Sequence, residues 1–210
     1  VVMPFFQGGL LGMADEALGG QTSLGTLVSE GKTNYLRLLL AYLAIFAVNL
    51  GFGVLAFLAV ILGGVGLYAG DSQPGLAALA AVAVVGVLFV LAYLLVTFFI
   101  QFYAHAIVLS DTALVDGFKR SVKLIRQNIV STLGYTLLLL VGSLFFGGIS
   151  SIASLLLSPQ ATELPLPDVS MPVLAGAAVV YVVALAVLGA FYATYSVAFY
   201  RSIEPRTQLG

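Results

Sequence analysis

The sequence predicts an all-α, polytopic integral membrane protein: four transmembrane helices in two hairpins, with amphipathic helices along the membrane surface. Three observations predict it. The 210 residues are 61% hydrophobic and only 8% charged, against about 25% charged in an ordinary soluble domain. So little charge cannot solvate a globular surface, and lipid must cover much of it. Four charge-free intervals follow one another, Leu38–Gly70, Ser72–Ser110, Gln127–Thr162 and Val169–Tyr200, each longer than the roughly 20 apolar residues that a spanning helix needs. Between the two apolar halves lies one long polar interval, Asp111–Asn128, with the sequence DTALVDGFKRSVKLIRQN.

Taken in order, the apolar run Val1–Leu18 reads as the end of a membrane helix, with further helices upstream. It lacks the basic start of a signal peptide. The four spans are expected at roughly Tyr35–Tyr68, Leu76–Leu109, Ile129–Ser158 and Val173–Tyr200. Between the first two, GDSQPG at Gly70–Gly75 is a tight turn. Asp71 or Ser72 suits a helix cap there, and Pro74 suits a first helical turn. Between the last two, Ser158–Pro172 holds four prolines and is expected to be an extended loop. Ser170 suits the cap of the fourth span. The whole chain, 1–210, is expected to form one membrane domain.

The polar interval is an expected helix in its own right. Val115, Phe118, Val122, Ile125 and Ile129 recur at helical spacing, while Lys119, Arg120, Lys123 and Arg126 fall elsewhere on the wheel. An apolar face beside a cationic one predicts a helix lying along the bilayer surface. The basic residues also set the orientation. Lys32 and Arg37 precede the first span, four cations lie between the second and third, and Arg201 and Arg206 follow the fourth. All eight fall on one side, expected to be the cytoplasm of a multi-pass cell-membrane protein, with its C-terminus on that side.

The chain also reads as duplicated, with one unit at about 22–109 and the other at about 112–204. Thr22–Leu43 echoes Thr112–Leu137: an amphipathic segment, then Asn34 or Asn128, then a span with an early Tyr42 or Tyr135. Phe98–Leu109 echoes Gly189–Tyr200. Two spans per unit make both units point the same way, a parallel repeat.

Those same stretches carry a family resemblance. GGLLGMADEALGGQTSLGTLVSEGKTNYLRLLLAYL, FFIQFYAHAIVL, DGFKRSVKLIRQN and GAFYATYSVAFYR resemble uncharacterised multi-span membrane proteins of haloarchaea. They are distantly similar to the membrane domain fused to some bacterial glycerophosphodiester phosphodiesterases. The shared feature is a span ending in aromatics, a basic surface helix with a central Ser and Leu, here Phe118–Leu124, and another span. The resemblance implies membership and one or two further spans before Val1. It brings no catalytic motif.

Each candidate site residue has two readings. Lys119, Arg120, Lys123 and Arg126 are candidate ligands for anionic lipid headgroups, each contributing about 1 kcal/mol near a charged surface. As ordinary positive-inside residues they would only fix topology. In the second span Tyr93, Thr97, Gln101 and His105 lie four apart and form one stripe. A polar stripe inside a membrane suits a solute or proton path. A span of 34 residues, however, is about 51 Å long, which puts Gln101 and His105 near the cytoplasmic water. Asn49, mid-span, is either a transport ligand or one partner of a single interhelical hydrogen bond. Small residues at Gly147/Ser151 and Ala186/Ala190/Thr194 suit close helix contacts, and the aromatics near Phe98–Tyr103 and Phe191–Tyr200 suit an interfacial belt.

Enzymatic classes are disfavoured. The chain has no Cys and one His, which removes thiolate chemistry and any multi-histidine metal site within one chain. No zinc-protease, P-loop or serine–histidine signature is present, and all carboxylates lie outside the four spans. No cofactor or metal is expected. The expected partners are membrane lipids and, through the membrane helices, further copies or another membrane protein. A net charge of −1 gives no footprint for nucleic acid. The expected function is therefore non-enzymatic: organising or sensing lipid, or scaffolding a partner. The alternative is a small-solute transporter with its path between the two repeats.

Overall fold

The computed structural model describes residues 2–68, 76–156 and 171–204. Every secondary-structure element among them is a helix: α1 Met3–Leu18, α2 Leu24–Tyr68, α3 Leu76–Ile100, α4 Tyr103–Leu109, α5 Leu114–Gln127, α6 Ile129–Leu156 and α7 Met171–Ile203. Three helical stretches are long and apolar enough to cross a membrane: Leu24–Gly63, Ala78–Leu109 and Ala175–Ile203. Counting α5 with the start of α6 as one bent span raises that to four. The most apolar window of each of the three contains no buried residue, as lipid-covered helices require. The expected turn Gly70–Gly75 and residues 158–170 of the expected long loop lie outside the described residues.

The chain divides into two compact units, Val1–Leu124 and Ile125–Gly210. In the first, α1 packs along the start of α2 through glycines. A Cβ on Gly9 would collide with the Leu27 carbonyl oxygen, and one on Gly31 would lie 2.8 Å from that of Phe5. Pro4 opens α1, and α1 closes at Gly19 and Gly20, where Gly20 takes φ +85; that left-handed conformation is nearly free of strain only for glycine. Ser23 then caps α2, its Oγ accepting the Thr26 N–H at 3.0 Å, while its own N–H reaches Glu16 Oε2 at 3.0 Å. The buried core of this unit lies near Leu11 and Ala14 of α1, Leu38 and Ala41 of α2, and Ala104, Ala106 and Ile107 of α4. It sits at the end that bears the charges, not among the spans.

In the second unit, α6 and α7 pack through aromatics. Tyr135 stacks on Phe199 at 4.4 Å and on Tyr195 at 5.6 Å, and Tyr195 on Phe191 at 6.1 Å. The Tyr192 hydroxyl lies over Gly142, where any Cβ would meet it. Val197 and Tyr200 of α7 and Thr132 of α6 are fully buried.

Two expectations change. The second span keeps nearly its expected extent, Ala78–Leu109, but a two-residue turn interrupts it: α3 ends at Ile100, and α4 restarts at Tyr103. No separate surface helix precedes the first span. α2 runs unbroken through Asn34 for 45 residues, about 68 Å at the helical rise, with Asn34 Nδ2 donating to Glu30 O and Oε2 of the preceding turn at 3.2 and 3.0 Å. Asn128, its sequence counterpart, stands between α5 and α6 instead. The two segments that echo each other are thus broken at different places.

Candidate functional site

The basic helix α5 begins after a tight corner. Asp111 has φ 45 and pairs with Arg37 of α2; Asp tolerates that region better than most side chains. Thr112 Oγ1 donates to Ala106 O at 2.8 Å, closing the corner onto α4. Asp116 in the first turn and Arg126 in the last complement the helix dipole.

Ser121 then fixes α5 to the break between α3 and α4. Its buried Oγ accepts the Phe102 N–H at 3.1 Å and donates to Phe99 O at 2.9 Å. Interrupting a helix frees backbone groups that must find partners, and one hydroxyl serves two of them. Four residues before it, Gly117 lets α5 approach α4, since a Cβ there would lie 2.8 Å from Ile107 Cγ1. Gly117, Ser121, Leu124 and Ile125 are the buried residues of α5. Of the expected apolar face, Val115, Phe118, Val122, Ile125 and Ile129, one residue packs fully against the protein. Only its Ile125 is buried, because small residues, not large ones, allow the close approach. Phe118 and Val122 are half-buried, Phe118 stacking on Tyr103 at 5.1 Å, and Val115 and Ile129 are exposed.

The four cations separate as well. Lys119, Lys123 and Arg126 are exposed, whereas Arg120 is half-buried. Lys119 Nζ lies 3.8 Å from Asp116 Oδ1, with both side chains largely in the open, where such a pair contributes little.

The expected polar stripe is divided by the break. Tyr93 OH donates to Asn49 Oδ1 at 2.9 Å, joining α3 to α2. Phe52 of α2 meets Phe89 and Tyr93 edge-on, both at 5.3 Å. Thr97 Oγ1 turns back to Tyr93 O and Leu94 O of its own helix at 3.1 and 3.0 Å. Gln101 stands half-buried in the break. His105 is not solvated, as the uninterrupted span had implied. It is 8% exposed on α4, edge-on to Phe102 at 5.5 Å, because α4 packs against α1 and α2. The structure does not bring Asn49, Gln101 and His105 into one constellation.

Recesses lie among the described residues of the first unit. A groove of about 480 Å³ between α2 and α3 is lined by Ala56, Gly63, Ala81, Val85, Gly86 and Phe89 among others, all apolar. A recess of about 220 Å³ is lined by Asp15, Glu16, Thr26 and Glu30 with Gly12, Val108 and Leu109. Its Glu16 and Glu30 carboxylates accept hydrogen bonds from Ser23 N and Asn34 Nδ2. Among the described residues no group of three or more His, Asp or Glu side chains is arranged to hold a metal ion.

Sequence reasoning missed the roles of Ser121 and Gly117. Both lie within the basic segment, four apart, and that spacing of small residues on a helix was the available signal. A family model described as "Domain of unknown function (DUF7847)" matches residues 1–203. No curated protein and no solved structure matches the chain.

Proposed function

The chain belongs to the DUF7847 family, and we propose that it is a non-enzymatic membrane protein that gathers anionic lipid against the cationic side of α5. One observation carries the reading: α5 has its small-residue face committed to the protein through Ser121 and Gly117 while Lys119, Lys123 and Arg126 stay exposed. A helix anchored in this way holds its cations at fixed spacing, so their attraction to headgroups is not spent on ordering the helix. The cations then face the cytoplasmic leaflet, the basic termini of the spans share that side, and four spans, two in each of the sequence repeats at about 22–109 and 112–204, complete the arrangement. Against a transport path stands the use made of Asn49 and Thr97, whose polar groups are engaged by Tyr93 and by helix backbone.

The test replaces Lys119, Lys123 and Arg126 with Gln and compares the lipids that co-purify with each protein at low salt. Anionic lipid should fall by several-fold with abundance and melting temperature preserved. Equal anionic lipid in both proteins would reduce these residues to topology signals.

A further inference from the structure

The side of α5 that is left open is not uniformly charged, and its order around the helix is informative. At about 100° per residue and with Gly117 at zero, the buried Ser121, Leu124 and Ile125 lie between about −20° and 80°, and Phe118, Val122 and Val115 between about 100° and 160°. On the same scale Arg126, Lys119 and Lys123 follow from about 180° to 240°. An apolar strip therefore separates the face committed to the protein from the cationic strip. Val115 is 60% exposed, and Phe118 and Val122 are half-exposed. Phe118 is held in place by its stack on Tyr103, which extends the apolar strip onto α4.

This order matches the order of groups in a phospholipid. Long basic side chains at an interface reach the phosphates, while neighbouring apolar side chains rest on the first carbons of the acyl chains. We propose that α5 binds an anionic phospholipid as a whole molecule. Its phosphate lies on Lys119, Lys123 and Arg126, and an acyl chain lies along Val115, Phe118 and Val122. The proposal rests on the lipid reading of α5 and adds the chain to the headgroup. It requires that a headgroup without a chain is a poor ligand and that high salt alone does not strip the lipid.

The experiment uses the full chain, delipidated in detergent, with binding read by native mass spectrometry. The probes are dioleoyl phosphatidylglycerol and glycerol phosphate, its chainless headgroup. The long-chain lipid should bind and glycerol phosphate should fail to displace it. Val115→Ser with Val122→Ser should weaken the long-chain lipid by about tenfold, the loss expected for two partly covered valines. Val115→Ser alone, at an exposed position that folding does not depend on, should weaken it in the same direction. Unchanged affinity in Val115→Ser and in the folded double variant, or displacement by glycerol phosphate, overturns the acyl-chain contact. If binding is nevertheless lost when the three cations become Gln, the headgroup reading stands by itself. Unchanged binding in the Gln variant overturns both.

Discussion

Ser121 joins two properties that the sequence keeps apart. In the sequence it is one hydroxyl in a basic run; in the fold it satisfies the N–H of Phe102 and the carbonyl of Phe99 across the break in the second span. Ser121→Ala leaves both groups buried without that partner, at a cost of about 1–3 kcal/mol. We expect a lower melting temperature and faster hydrogen exchange at Phe102. The glycines of α1 make a second residue-scale prediction. Gly9→Ala drives a methyl into the Leu27 carbonyl and should destabilise by about 1–3 kcal/mol. Gly51→Ala, with open space around it, should be neutral or slightly stabilising, since Ala favours helix over Gly by up to about 1 kcal/mol. Melting curves of the two variants should move apart. Asn49 and Tyr93 form a pair that a double-mutant cycle resolves. Asn49→Ala and Tyr93→Phe should couple by roughly 0.6 to 1.7 kcal/mol, the range for hydrogen bonds between membrane helices. Zero coupling contradicts the bond.

Helices were legible to the extent that hydropathy alone defines them. The apolar runs give α2, α3, α6 and α7 near their expected places, because a charge-free interval of that length has few other stable forms. What remained hidden depends on partners. The break at Gln101–Phe102 has no Pro or Gly to announce it; it is stabilised by a serine that lies nineteen residues beyond Phe102. The expected first surface helix is fused into α2, where the Asn34 side chain bonds within its own helix and leaves the backbone unbroken. On α5 the basic side was legible and the packed face was not. Large apolar residues draw attention in a periodic pattern, but close approach to α4 selects Gly117 and Ser121. His105 was expected to be solvated, and its burial stayed hidden for a related reason: α1 and α2, the helices that cover α4, lie far from it in the sequence.

At the scale of the whole molecule, the packed core of the first unit belongs to the charged end, and the spans present unburied apolar surface. Through Gly117 and Ser121, α5 is packed onto that charged end. A Lys123→Cys substitution in this Cys-free chain should react with a membrane-impermeant maleimide only after cells are opened. Labelling of intact cells reverses the proposed sidedness. If α5 meets the bilayer with its cations at the phosphates and its apolar strip at the acyl carbons, its residues must lie at different depths. Single nitroxide labels at Val115, Lys123 and Gln127 in nanodiscs containing phosphatidylglycerol report these depths through relaxation by oxygen and by a water-soluble nickel chelate. The expected result is oxygen-dominated relaxation at Val115, a headgroup-level balance at Lys123, and nickel-dominated relaxation at Gln127. Nickel-dominated relaxation at all three positions would contradict it, because α5 would then stand in water.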